Sequence, residues 1–336
     1  MHISQTSLAK VILIFFPLGF LALAVLSISI GAKEIPFGDI YQSIFHFDAN
    51  QPDHQIIIHN RLPRALGACL IGAFLAVSGA LMQGMTRNYL ASPSIMGVSD
   101  GSVFLVTACM VLLPNAGAFV LVLFSLAGSA FGVFLVFGLG SILPNGLTPV
   151  RLAIIGTIIG TFLSSLAAAL SIYFKTNQDI SFWYNARLHQ LDPAMIKLAV
   201  PFGTAGLVLA LILAKPITLL SLGDETAAGL GENTTRIKLL TIVAVALLTG
   251  ISVALAGKIT FVGLLIPHMT RYLVGNDYRW VIPCTAALGG LFLILSDTAS
   301  RFLNSPFETP ISIVTSFIGI PFFIYLIKRN GGKANA

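Results

Sequence analysis

The sequence predicts an all-α polytopic membrane protein of about ten transmembrane helices, with short cytoplasmic coupling helices between spans 6 and 7. Three observations carry this. Hydrophobic residues make up 56% of the 336, and mean hydropathy is +0.91. Charged residues make up only 10%, against about 25% in soluble domains. The apolar residues fall into runs close to the roughly 20 residues that a bilayer-spanning helix needs, separated by Pro, Gly and polar clusters.

Taken in order, the runs place spans at about 8–30, 63–85, 95–113, 118–139, 152–174, 195–214, 237–256, 259–274, 281–302 and 311–327. All belong to one transmembrane domain, 1–336. The first run, Leu8–Ile30, is too long for the apolar core of a signal peptide and shows no clear cleavage site, so it reads as a retained span. Residues 31–60 form a polar, helical excursion with Pro36 near its start, and Arg61-Leu62-Pro63-Arg64 opens span 2. Pro93 and Pro114 bracket span 3, and Pro144-Asn145-Gly146-Leu147-Thr148-Pro149 is a turn cluster after span 4. A polar, aromatic interval, 175–192, follows span 5. An even number of spans puts both termini on one side. Of the 19 Lys and Arg residues, eleven fall on that side and eight opposite, so the positive-inside rule places the termini in the cytoplasm.

Residues 217–235 form a polar handle between spans 6 and 7, with Asp224, Glu225 and Glu232 close together. Ser221 and Asp224 are candidate helix N-caps, Ala227 and Ala228 admit a close-packed surface, and Gly229 and Gly231 break the helix. This predicts two short helices joined at a glycine bend on the membrane surface, where something outside the bilayer can push on the chain. On the opposite face, Arg61, Arg64 and Arg301 map to span ends. They read either as interfacial snorkelling or as a basic rim that docks an acidic external partner.

Other polar residues read as structural. Cys69, Cys109 and Cys284 lie in apolar segments without metal or disulfide spacing. His268, Gln83 and Asn88 suit hydrogen bonds within the bundle. Asp297 and Arg301, four apart, can neutralise each other. Glu308 precedes Pro310 at a helix start, where an acid is favourable. There is no P-loop: near Gly257-Lys258, Ser252 stands where the first glycine is needed and Ile259 where Ser or Thr is needed. The chain is therefore read as no enzyme, with no cofactor of its own.

The run Gly257-Lys258-Ile259-Thr260-Phe261-Val262-Gly263-Leu264-Leu265-Ile266-Pro267-His268-Met269-Thr270-Arg271 resembles the permease subunits of iron–siderophore and cobalamin ABC importers, the FecCD-like type II importer family. Agreeing stretches, in the family's order, are Arg61-Leu62-Pro63-Arg64; Ser78-Gly79 with Gln83 and Arg87-Asn88; Leu90-Ala91-Ser92-Pro93; Gly97-Val98-Ser99-Asp100-Gly101; the handle; Asp297 with Arg301; Glu308-Thr309-Pro310; and Gly319-Ile320-Pro321-Phe322-Phe323.

The resemblance implies a transmembrane permease that moves ferric siderophore inward across a bacterial cell membrane by alternating access. It implies a second permease subunit, two cytoplasmic ATPases that carry ATP and Mg, and an external binding protein. Coupling to the ATPase would fall on Ser221, Leu222, Gly223, Asp224, Glu225, Ala227, Ala228, Gly229, Leu230 and Gly231. Docking of the binding protein would fall on Arg61, Arg64 and Arg301, and the cytoplasmic gate on Leu147, Thr148 and Pro149. Spans 2–5 and 7–10 would be inverted repeats. Two departures stand out. Tyr89 replaces a proline, and Trp183, Tyr184, Asn185 and Arg187 occupy an outer-pathway stretch that in the family often reads Trp-x-x-Gly-Ser-Leu. Arg187 suits an anionic cargo, and the change also fits one half of a heterodimer. Cobalamin or haem are alternative cargoes. An ion-coupled secondary transporter is an alternative class, disfavoured by the scarcity of intramembrane acids.

Overall fold

The computed structural model describes residues 5–31, 33–94, 96–143, 148–176, 188, 191–304 and 307–331. Every regular element among them is helical. Helix α1 (Gln5–Ser29) leads to a short excursion, α2 (Phe37–Phe45) and α3 (Pro52–Ile56). A π-helical turn, Ile57–Arg61, feeds α3 into α4 (Leu62–Thr86), giving one continuous helical segment from Pro52 to Thr86. Then come α5 (Val98–Leu112), α6 (Ala118–Ile142), α7 (Pro149–Tyr173) and α8 (Pro193–Ile212). The handle forms α9 (Ala214–Leu222) and α10 (Asp224–Gly229). The chain closes with α11 (Thr234–Ala256), α12 (Val262–Val274), α13 (Tyr278–Phe302) and α14 (Ile311–Gly331).

Each expected span has a helix, but they differ in reach. Seven of the described helical segments are long and apolar enough to cross a membrane, and two shorter apolar helices lie at Val98–Leu112 and Ile311–Tyr325. Helix α12 has 13 residues, about 20 Å at 1.5 Å per residue, less than the roughly 30 Å hydrocarbon core.

The core is built on α4, which is buried along nearly its whole length. Helices α11, α12 and α13 pack on it, while α5, α6 and α7 form a second group that joins through α11. Between membrane helices the hydrophobic effect gives little driving force, so small residues and close backbone contact carry the packing. Gly79 of α4 lies directly against the backbone of Gly263 at the start of α12, with no room for a Cβ on Gly79. Gln83, one turn further along, donates to the Gly263 and Leu264 carbonyls at 3.3 Å each. Asn88 accepts from the Leu90 amide at 2.9 Å. Cys109 and Cys284 are buried and Cys69 is half-buried, all as free thiols. By contrast, α1, α7 and α14 leave large apolar side chains outward, among them Ile14, Phe162 and Phe317, as expected for surfaces that meet lipid or another subunit.

The helix caps differ from the expected ones. Ser221 lies in the last turn of α9, where its hydroxyl donates to the Thr218 carbonyl at 2.7 Å. Asp224 is the first residue of α10, preceded by Gly223 with φ +134°. That backbone state suits glycine, so Gly223 makes the bend between the two short helices. The side chains that do cap are Asp192 on α8, Asn233 on α11 and Asp277 on α13. Beside the membrane, hydrogen bonding to the Arg279 side chain holds the Asp277 carboxyl below the usual carboxylate range.

Candidate functional site

The handle is held from beneath and open above. Ile217, Leu220 and Ala227 are fully buried, and Thr218 Oγ1 accepts the Tyr278 amide at 2.9 Å, which ties α9 to the start of α13. Lys238 of α11 pairs with Asp224 at 2.8 Å. The outer face carries Leu222 at 65% exposure and Leu230 at 62%, with Glu225, Ala228, Gly229 and Gly231 exposed between them. An added Cβ on Gly229 or Gly231 meets nothing within 4 Å. Two exposed leucines among small and acidic residues, on a rigidly seated pair of helices, make a surface that a protein partner can grip. Behind it, Arg271 donates to Gln83 Oε1 and lies 4.7 Å over the Tyr89 ring. Tyr89, the departure noted in the sequence, is thus used in packing on α12.

At the other end of the bundle the three arginines converge, but not as a free rim. Arg64 is buried and gives Nε and Nη2 to Asp297 (3.0 and 2.8 Å) and Nη1 to Glu308 (2.6 Å). Arg301 is buried, pairs with Asp297 at 3.1 Å, and donates Nη1 to the Ser27 and Ile30 carbonyls at 2.8 and 2.7 Å. Arg61 donates to the carbonyls of Ile28, Ser29 and Lys33. Arg61 and Arg301 therefore satisfy the last carbonyls of α1, which a helix C-terminus leaves unpaired and whose dipole favours a cation. The i, i+4 neutralisation of Arg301 is present, and Glu308 has a structural use. The expected three-arginine surface reduces to Arg61, the half-exposed member, standing on a platform made by the other two.

Of the residues expected at the gate and in the pathway, two are among the described residues. Thr148 is the exposed N-cap residue of α7, and Pro149 opens that helix. Leu147, Trp183, Tyr184, Asn185 and Arg187 lie outside the described residues.

One cluster escaped the sequence reading. Asp100, in the first turn of α5, is 3% exposed. Its Oδ1 accepts from Lys258 Nζ at 2.5 Å and from Ser164 Oγ of α7 at 2.7 Å. In the sequence these residues stood far apart, Asp100 inside a glycine-rich motif and Lys258 as part of a failed P-loop. No local spacing could have joined them.

The arrangement has three parts: a bundle around α4, an anchored handle with an exposed apolar face, and an ionic cluster at the far end. It fits a membrane-embedded helical subunit. Comparison with known proteins agrees. The sequence profile of the FecCD transport family matches residues 19–329, and the chain belongs to that family. It is 58% identical over 326 residues to the iron-uptake system permease protein FeuB of Bacillus subtilis (strain 168), across 97% of this chain and 98% of that protein. It is 49% identical over 306 residues to the iron(3+)-hydroxamate import system permease protein FhuB of the same organism, across 91% of this chain and 80% of that one. Its fold is similar to an inward-facing conformation of a metal-chelate type ABC transporter, with TM-score 0.81 and 30% identity, covering 95% of this chain and 99% of the other.

Proposed function

We propose that this chain is the permease subunit of an ATP-binding-cassette importer that carries ferric siderophore inward across a bacterial cell membrane. The family match over residues 19–329 carries the reading; the iron-uptake relatives and the metal-chelate transporter fold support it. In this reading α1, α4–α8 and α11–α14 are the ten spans of one permease domain, with both termini cytoplasmic. A second permease, a paralogue of this chain, completes the pathway. ATP and Mg belong to two partner ATPases, which dock on α9 and α10. Alternating access follows when their closure moves the handle, with Thr148 and Pro149 beside the cytoplasmic gate. Purification from the native membrane in mild detergent, followed by mass spectrometry, should recover an ATPase, a second permease and an external binding protein. Repeated recovery of this chain alone would sink the importer reading.

The external binding protein docks at Arg61. Arg61→Glu should weaken its docking by about tenfold, mainly through slower association that salt masks. A reversed charge on the binding protein should restore it. Unchanged docking and uptake in Arg61→Glu would remove this residue from the interface. Arg64 and Arg301 are unsuited to the same test, because their burial makes any charge change a folding defect.

A further inference from the structure

Two helices of the bundle are too short to cross the roughly 30 Å hydrocarbon core of a bilayer, so non-helical backbone makes up the rest of the span. Helix α5 has 15 residues and α12 has 13. Both start at a residue in the left-handed region, Gly97 (φ +72°) and Phe261 (φ +67°). The chain leading into α5 comes close to the start of α12: a Cβ added to Gly263 would lie 3.4 Å from the Pro93 ring. Non-helical backbone at this depth is tolerated only where protein buries it or a cavity adjoins it. Interrupted helices in matching places of two halves point to a transport site.

The Asp100–Lys258 pair lies between these two starts. Asp100 is enclosed, but the Lys258 side chain is 26% exposed. The backbone of Lys258 is fixed as well, its carbonyl accepting Ser312 Oγ at 2.8 Å. Beside the pair is a cavity of about 490 Å³ lined by Ser94, Thr157, Thr161, Ser164 and Ser165. Thr161 is the middle residue of the 25 in α7, so the cavity lies near mid-membrane. Thr157, Thr161 and Ser165 are exposed. Thr157 and Thr161 donate to the Ala153 and Thr157 carbonyls one turn back, at 2.8 Å each, which leaves their oxygens as acceptors on the cavity wall.

An ammonium has three donors and no acceptor, and one of Lys258's is engaged by Asp100. The others face the cavity. We propose that Lys258, held by Asp100 and Ser164, is a mid-membrane station that takes an anionic ligand oxygen of the passing ferric chelate. The cargo class is an oxygen-rich chelate with negative charge on its ligand atoms, as in hydroxamates, catecholates or citrate. Asp100 holds the ammonium in place when no cargo is present, and shares it when one arrives. The inference rests on the importer reading.

The test uses the whole complex, with its ATPase and binding protein, in proteoliposomes. The probes are radiolabelled iron as a ferric trihydroxamate, a ferric tris-catecholate and ferric citrate. For the chelate that the wild type carries, Lys258→Met should lower uptake by at least about tenfold, the worth of one charge-assisted hydrogen bond. Lys258→Arg should retain most of it. The double variant Asp100→Asn with Lys258→Met leaves no unpaired buried charge and serves as the folding control, with co-elution of the partners as its readout. If the double variant assembles and still fails to transport, the station is supported. If it restores uptake, the pair is only structural and the inference falls while the importer reading stands. Wild-type uptake of none of the three chelates would overturn the siderophore reading, and the station with it.

Discussion

Ala228→Trp should give a subunit that folds and inserts normally but transports about 10–100-fold less, the range of a lost coupling free energy. Ala228 is exposed on α10, while the preceding Ala227 is fully buried. The indole therefore adds bulk only outward, onto the face between Leu222 and Leu230. Its cost to the chain itself should stay within about 0.5 kcal/mol, as for most surface changes. Ala227→Trp is the contrasting case: it overpacks a closed site and should destabilise the subunit directly. Melting of the purified subunit separates the two variants, and uptake with ATP hydrolysis in the assembled complex reads the coupling. Wild-type uptake by Ala228→Trp would show that no partner packs closely on α10.

Asp297→Ala should destabilise the subunit by about 3–5 kcal/mol, the cost of breaking a buried ion pair from one side. Asp297 is fully buried between two guanidinium groups, at 2.8 Å from Arg64 and 3.1 Å from Arg301. Its removal leaves both arginines buried with Glu308 as the remaining acid. Asp297→Asn should be milder, because the amide keeps the shape and one acceptor oxygen. The comparison within the same region is Lys33–Asp53, whose side chains are 61% and 23% exposed. Asp53→Ala should cost no more than about 1 kcal/mol. Thermal unfolding in detergent checks all three; equal losses for Asp297→Ala and Asp53→Ala would contradict the buried cluster.

The helices were legible because each apolar run is long and its breaks are Pro, Gly or polar. The handle was legible because three acids stand out in a chain so poor in charge. The true starts of α5 and α12 were not. Apolar runs begin at Ile95 and Ile259, but the helices begin at Val98 and Val262, since hydropathy is blind to the left-handed backbone of Gly97 and Phe261. Asp297 with Arg301 could be paired from sequence because four residues is one helical turn. Arg64 with Asp297 could not, being 233 residues apart. That missing partner is why Arg64 and Arg301 read as surface residues. A glycine bend in the handle was foreseen, but at Gly229 and Gly231; the two short helices meet instead at Gly223, which fills the cap position that Ser221 or Asp224 was expected to serve.

The tying of α1, α4, α13 and the Glu308 segment through one set of charges also limits how this protein can vary. Any single neutral replacement among Arg64, Asp297 and Arg301 strands a charge in the interior, so each path to a different arrangement passes through a poorly folding intermediate. Paired replacement, in which a cation and an acid are exchanged together for apolar residues of similar volume, avoids that valley. The end of the subunit that holds this cluster should therefore diverge by linked steps, whereas the exposed face of α10 can change one residue at a time.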